Sequence, residues 1–309
     1  MQPTPLHSAH DREIESLAEF DKVVSEHGSL ARFRVQAVDL TDRTDTLLAV
    51  DTTGAVFLGC PMDSEAAARV RVTGALVFPP IPGLPFDPYR GLLYSPDELF
   101  ASLDDGYEAT PDARAYAWFQ QTKADGDVYA SMLRAIHDDS VSDALDELLV
   151  GTRVVGVMGG HAMARGTEAY EGAARLGREL ARAGLTVATG GGPGAMEAAN
   201  FGAYAAHIAK YFANATREDG LLARSNAGVV FLPGAAGTVQ EIFDNATPNY
   251  YESRGEPTPM VLVNRAHWTE KHPTWPLLQS LAHERSMASR IALVDRIEEA
   301  PEALKRLGG

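Results

Sequence analysis

The chain has one cysteine, Cys60, so no intrachain disulfide can form and a reducing compartment is the expected setting. No apolar run reaches the roughly 18–20 residues that a membrane helix needs. The longest candidates, residues 74–85 and 227–233, are broken by proline and glycine. The N-terminal stretch MQPTPLHSAHDREIESLAEF lacks a basic start followed by an apolar core. No signal peptide is therefore expected, and the expected location is the cytoplasm. Positive charge is scarce. Lysine and arginine number 27 against 42 acids, a net charge of −15. That field repels polyanions, which argues against nucleic acid or an acidic membrane as partner. A small phosphorylated ligand is still allowed, because a few local donors can hold one phosphate. The nine histidines do not cluster at metal-ligand spacing, so no metal is expected. There is no P-loop, no G-x-S-x-G, no H-E-x-x-H and no lysine in a recognisable pyridoxal context. No cofactor is expected.

What remains is an ordinary soluble composition, with 45% hydrophobic and 22% charged residues over 309 positions, enough for two domains. The texture changes near Val150. In the first region, residues 55–59 (AVFLG) and 75–78 (ALVF) are short β-rich runs with a helical segment, 63–70, between them. This pattern predicts β-α-β with a parallel pair. Prolines at 79, 80, 82, 85 and 88 mark a loop. Ser95-Pro96 and Thr110-Pro111 each read as an N-cap followed by proline at the first helical position. Helices over 111–123 and 128–149 follow, the second with Met132, Leu133, Ile136, Val141, Ala144, Leu145 and Leu148 as expected core. Cys60 reads as a small buried hydrophobe.

The second region repeats strand, glycine turn, helix. Strands are expected at 153–158, 185–189, 228–232 and 259–263. A helix over 168–183, with Ala173, Leu176, Leu180 and Ala181 on one side, follows the first of them. The predicted fold class is α/β: a Rossmann-like doubly wound parallel sheet over 151–309, preceded by a smaller α/β domain over 1–150.

Successive strands here end in glycine-rich turns that open helices. Backbone N–H groups at a helix N-terminus are unpaired and partly positive, and glycine lets an anion approach them. Gly190, Gly191, Gly192 and Gly194 form the better expected cradle. Gly234, Ala235, Ala236, Gly237 and Thr238 form a second, where the Thr238 hydroxyl can add a donor. A single turn of this kind can equally be no more than a tight connection; adjacent turns on one sheet edge favour an anion site. The segment 190–195 also satisfies G-x-G-x-x-A. It follows the second strand, however, and no acid ends the next strand at the required distance, which speaks against a nicotinamide dinucleotide.

Three segments, read together, resemble the LOG family: 159–161 (GGH), 189–200 (TGGGPGAMEAAN) and 232–241 (LPGAAGTVQE). The variants are closest to its bacterial nucleotide nucleosidase branch, and the resemblance covers 151 to about 263. It implies hydrolysis of the N-glycosidic bond of nucleoside 5′-monophosphates to free base and ribose 5-phosphate. It also implies a small-molecule nucleotide as partner and a homodimer or higher homo-oligomer. A non-catalytic nucleotide-binding or sensing protein is the alternative. Glu241 is the implied catalytic carboxylate, suited to stabilising an oxocarbenium-like state and orienting water. On residue type alone it reads as an acid in the first turn of its helix. The implied arginine falls by counting on Glu218, one position from Arg217; Arg217 is chosen, with Arg224 as the other option. Gly160, His161, Glu197 and Asn200 are implied contacts to ribose or base, and capping or solvated roles suit the polar ones equally.

Two departures from the family pattern stand out. Ala235 replaces the second glycine of P-G-G-x-G-T-x-x-E, which is harmless at φ < 0 and strained at φ > 0. Residues 201–212 read as continuous helix where the family places a further strand and helix. The tail, 268–307, is amphipathic through Leu277, Leu278, Leu281 and Met287, fit either for a partner subunit or for its own domain.

Overall fold

The computed structural model describes residues 12–123 and 126–308; residues 1–11, where a leader was sought, lie outside them. The chain divides into two compact units, Met1–Leu145 and Asp146–Gly309.

In the first unit, β1 (Glu13–Ile14), α1 (Leu17–His27), β2 (Arg34–Gln36), α2 (Thr44–Ala49), β3 (Val56–Leu58), α3 (Ser64–Val72) and β4 (Leu76–Phe78) alternate. The strands pair in sequence order, β1-β2-β3-β4, all parallel. The expected β-α-β unit is therefore half of a larger sheet. Phe20, Leu47, Ala66 and Val70 of the helices bury against Val35 and Phe57. The alternate residues of β2 do something else. Arg34 bridges Glu13 and Asp143, each at 3.0 Å, and Gln36 donates to the Arg90 carbonyl. Period-two alternation thus puts an apolar layer on one face and an ion-paired layer on the other.

Helices α4 (Pro96–Leu99), α5 (Pro111–Thr122) and α6 (Val128–Leu149) follow. Ser95 and Thr110 cap as expected, accepting from Glu98 N–H and Ala113 N–H. On α6, Leu133, Val141 and Ala144 are buried, but Met132 and Leu148 are exposed, a correction to the expected core. Cys60 is buried, and desolvation pushes its thiol up to about 11.

The second unit runs β5 (Val154–Met158), α7 (Glu168–Arg182), β6 (Thr186–Thr189), α8 (Ala195–Ala203), α9 (Asn214–Arg224), β7 (Gly228–Phe231), α10 (Ala236–Tyr251), β8 (Met260–Val263), α11 (Thr274–Ala282), β9 (Ile291–Val294) and α12 (Ala300–Gly308). The sheet order is β6-β5-β7-β8-β9, all parallel. Val155 and Val157, Val230 and Leu232, and Val261 and Val263 pack into one core layer. Met158, Val229 and Phe231, and Met260 and Leu262 pack into the other. Both faces of the sheet are covered, so the unit is a Rossmann-like, doubly wound α/β fold. The chain steps from β5 outward to β6, then returns to place β7 on β5's other side. That reversal opens a crevice at the carboxyl ends of β5 and β7.

Two sequence expectations fail here. Residues 201–212 are not continuous helix: α8 stops at Ala203, Tyr204 takes a left-handed conformation (φ 56°), and α9 begins only at Asn214. Ala205 N–H folds back onto the Asn200 carbonyl, a tertiary stop that no glycine announces. Ala181 is exposed rather than packed on α7's buried side. In the tail, Trp268, Leu278 and Met287 bury in the unit's own core, whereas Leu277 and Leu281 are exposed.

Candidate functional site

The crevice holds a cavity of about 610 Å³. Its walls come from the loop after β5 (Gly159, Gly160, His161), the loop after β6 (Gly190, Gly192), the loop after β7 (Pro233, Gly234, Ala235) and the start of α10 (Gly237, Thr238, Glu241). Arg217 and Glu218 of α9 complete it, with His267, Lys271 and His272 beyond β8.

The glycine loops are locked to one another through their backbones. Gly160 N–H donates to the Pro233 carbonyl at 3.0 Å, and Ala195 N–H donates to the Gly160 carbonyl at 3.3 Å. A Cβ at Gly160 would lie 3.0 Å from that Pro233 oxygen. A Cβ at Gly194, whose φ is +79°, would lie 2.6 Å from the Gly160 oxygen. Only glycine fits this crossing of backbones.

The two cradles use their backbone donors differently. The loop after β6 uses three of its donors within the protein: Gly191 N–H on the Thr189 hydroxyl, Ala195 N–H on Gly160, and Glu197 N–H on Gly192. A Cβ on Gly192 would press on Met196 Cε (2.6 Å) and His161 Nε2 (2.9 Å). Its glycines make room for the protein's own chain. By contrast, Val239 N–H makes the first bond of the α10 ladder, to Ala235. The N–H groups of Ala236, Gly237 and Thr238 therefore have no acceptor within the helix, and Gly237 faces open space. Gly237 and Thr238 of this second loop line the cavity.

Ala235 sits at φ −118°, where a methyl group carries no strain. Its substitution for the family glycine leaves the turn intact. Ala235→Gly is expected to lower stability by less than about 1 kcal/mol, through unfolded-state entropy alone, and to leave ligand affinity unchanged. Thermal melts and titrations of the two forms check this.

Glu241 is the sixth residue of α10, not a first-turn acid as the sequence suggested, because the helix starts earlier than expected. It is partly buried, and its pKa is pushed up to about 7. Desolvation is the main cause; the nearby Glu218 carboxylate adds to it, and the Arg217 guanidinium opposes it. Arg217 Nη1 donates to the Gly190 carbonyl (3.3 Å) and Nη2 to Asn214 Oδ1 (2.5 Å). Its Nε is shielded from solvent and has no acceptor among the described residues. Glu218 accepts from Asn214 Nδ2 at 2.7 Å. Glu218, the position reached by counting, and its neighbour Arg217 both line the cavity, as does Leu221 of the same helix.

Residues 152–210 match the family model of the SLOG cluster4 family. That span holds β5, α7, β6 and α8, with Gly160, His161 and the loop after β6. Arg217, Glu218 and Glu241 lie beyond the SLOG match. Among curated proteins, none matches the chain. Among solved structures, the molybdenum cofactor binding protein of the phototrophic bacterium Rippkaea orientalis is 20% identical, with a TM-score of 0.38, over 50% of this chain and 96% of that one. Two structures of the molybdenum cofactor carrier protein of Chlamydomonas reinhardtii are 19% and 21% identical, with TM-scores of 0.36 and 0.37. Each of these two covers 50% of this chain, and 97% and 98% of the carrier respectively. Likeness at these scores says nothing of a ligand for this chain.

The remaining predicted residues fall away from the cavity wall. Glu197 is ion-paired with Arg165, whose Nε lies 2.7 Å from Glu197 Oε1. Asn200 donates to the Thr189 hydroxyl at 2.8 Å and fixes the end of β6. Gly191, Gly194 and Ala236 shape the loops without lining the space. Arg224, the other arginine considered, is bound to Asp146 through Nε and Nη2, both at 2.6 Å. Sequence reasoning missed Glu218 as a site residue in its own right, and also His267, Lys271 and His272. The last three sit in a segment with no motif; only the wide turn at His267–Lys271 brings them to the cavity. Among the described residues, no group of three or more potential metal ligands is assembled, and no helix is long and apolar enough to cross a membrane.

Proposed function

We propose that the second unit hydrolyses the N-glycosidic bond of nucleoside 5′-monophosphates. The observation that carries this reading is Glu241: a partly buried carboxyl with pKa about 7 facing the same cavity as the open N-terminus of its own helix. One segment, 232–241, thereby offers an anion end and an acid-base end. The LOG-like motifs in that segment support the same assignment.

In the reaction, the 5′-phosphate rests on the N–H groups of Gly237 and Thr238. The C1′–N bond breaks, its electron pair leaves with the base, and positive charge develops on the ribose. The ionised Glu241 stabilises that charge, orients a water and takes its proton as the oxygen bonds to C1′. The unfilled Nε–H of Arg217 donates to a ribose or phosphate oxygen. A base with pKa about 7 is half ionised at neutral pH, which is the useful range for such work.

The test is incubation with AMP, GMP, IMP, CMP and UMP and assay of free base and ribose 5-phosphate. Product from at least one is expected. Calorimetric binding with no product would instead select a nucleotide-binding protein without catalysis. The pH profile of kcat/KM is expected to rise up to about pH 7 and then level, because the ionised carboxyl is the active form. Glu218→Gln removes a neighbouring negative charge and is expected to move that limb to lower pH. A limb that stays in place would show that Glu218 does not act on Glu241.

A further inference from the structure

Helix α10 buries two asparagines one turn apart, Asn245 at 2% exposure and Asn249 at 5%. Asn249 has a structural use. Its Nδ2 donates to the Thr258 carbonyl and its Oδ1 accepts from Thr258 N–H, both at 3.0 Å, so it ties α10 to the residues leading into β8. Asn245 has no such tie. Its Nδ2 is shut off from solvent and has no hydrogen-bond partner among the described residues. Its helix neighbours Ile242 and Ala246 sit in an apolar core with Met260, Trp268 and Leu278. Leucine or alanine would fill such a place without stranding a donor, and both form helix better than asparagine.

Four residues before Asn245 on the same helix stands Glu241. Residues i and i+4 share one helix face with Cβ atoms about 6 Å apart, and helical side chains lean toward the N-terminus. Asn245 therefore leans toward the turn that carries Glu241. Among the described residues, none donates a hydrogen bond to the Glu241 carboxyl; what acts on it is desolvation and the charges of Glu218, Arg217 and Asp244. An ionised carboxylate can only accept, and the amide nitrogen of asparagine can only donate. A buried donor without an acceptor thus stands one turn behind a partly buried acceptor without a donor.

We infer that Asn245 is the positioning residue for Glu241: its Nδ2–H donates to one oxygen of the ionised carboxylate and fixes how the other oxygen faces the cavity. The inference deepens the proposed function and rests on Glu241 as the acid-base group of that site. Asn245 is not part of the cavity wall, so it acts through Glu241 alone. A hydrogen bond to the charged form favours ionisation, so its loss makes Glu241 harder to ionise.

Carbon-13 NMR titration of the Glu241 carboxyl, identified by its disappearance in Glu241→Gln, tests this in the ligand-free protein. In Asn245→Leu the midpoint is expected to lie about one pH unit above that of wild type. The melting temperature is expected to hold or rise, because leucine strands no donor. Asn245→Ala, which is smaller, is expected to give the same shift should leucine not fit. In the hydrolysis assay at pH 7, kcat of Asn245→Leu is expected to fall about tenfold with KM unchanged, because fewer carboxyls are ionised and those are less well aimed. Equal midpoints in wild type and both variants overturn the inference, and a lowered melting temperature with an unmoved midpoint assigns Asn245 to packing alone. The two readings fail separately. A moved midpoint without hydrolysis of any nucleotide keeps the Asn245–Glu241 bond and removes the nucleosidase. Hydrolysis with an unmoved midpoint removes the bond and keeps the nucleosidase.

Discussion

Glu241→Gln is expected to abolish nucleotide hydrolysis, by about a thousandfold or more in kcat, and at the same time to make the protein more stable above pH 7. The first effect follows from losing the group that stabilises the developing charge and accepts water's proton; positioned acid-base groups contribute about 10²–10⁴-fold. The amide keeps the shape and can still hydrogen-bond, so ligand affinity survives. The second effect follows from linkage. The folded-state pKa of Glu241, about 7, lies above its ordinary 4.5. The carboxyl is thus at ease in the fold while protonated, and stability is lost as pH rises through about 7. Glutamine never ionises and escapes that loss. The gain is about 1–2 kcal/mol at pH 8 once solvent screening of the carboxyl's exposed part is allowed for. It should vanish near pH 5. Melting curves at the two pH values read it directly. A variant that hydrolyses nucleotides at the wild-type rate would remove Glu241 from the mechanism, whatever its stability.

The second large effect concerns the helix pair behind the site. Gly177 of α7 and Gly202 of α8 let the two helices approach until backbones nearly touch. A Cβ at Gly177 would lie 2.0 Å from the Ala199 carbonyl oxygen, and one at Gly202 only 1.8 Å from that of Ala174. These obstacles are backbone, so no rotamer change relieves them; α8 has to move. Alanine improves helix propensity by about 1 kcal/mol, but overpacking costs about 1–3 kcal/mol and rises where backbone must shift. Gly177→Ala is therefore expected to lose about 2–4 kcal/mol. Gly184→Ala is the control, since Gly184 has φ +77° and open space around it. Its cost comes from backbone conformation alone, about 1 kcal/mol. Denaturant titrations rank the two, and a Gly177→Ala protein as stable as Gly184→Ala would refute the close approach. Displacing α8 also shifts Gly194, which caps it and crosses Gly160, so ligand binding should weaken along with stability.

Much of this was legible in one dimension. Buried parallel strands read as continuous apolar runs, so Val154–Met158, Gly228–Phe231 and Met260–Val263 announce themselves. The capped starts at Ser95 and Thr110 are short-range chemistry and hold as read. The strands Glu13–Ile14 and Arg34–Gln36, short and interrupted by polar residues, carry too little apolar pattern to be seen. Their stability comes from neighbours distant in sequence.

The sequence alone determined the layered α/β architecture, the glycine turns at one sheet edge and a carboxylate just inside the helix after β7. Each depends on local propensity, period-two burial or backbone freedom, which a linear string records. Only the tertiary structure decided how the two glycine loops use their backbone donors. Three backbone donors of the loop after β6 are taken up by Gly160, Gly192 and Thr189, while those at the start of α10 have no acceptor within their helix. Only the fold set Glu241's pKa, because desolvation and the opposing charges of Glu218 and Arg217 arise from packing α9 against α10. The same holds for Lys271. Nothing around it in sequence marks a site; a buried tryptophan and a histidine tied to Gly234 bring it to the cavity.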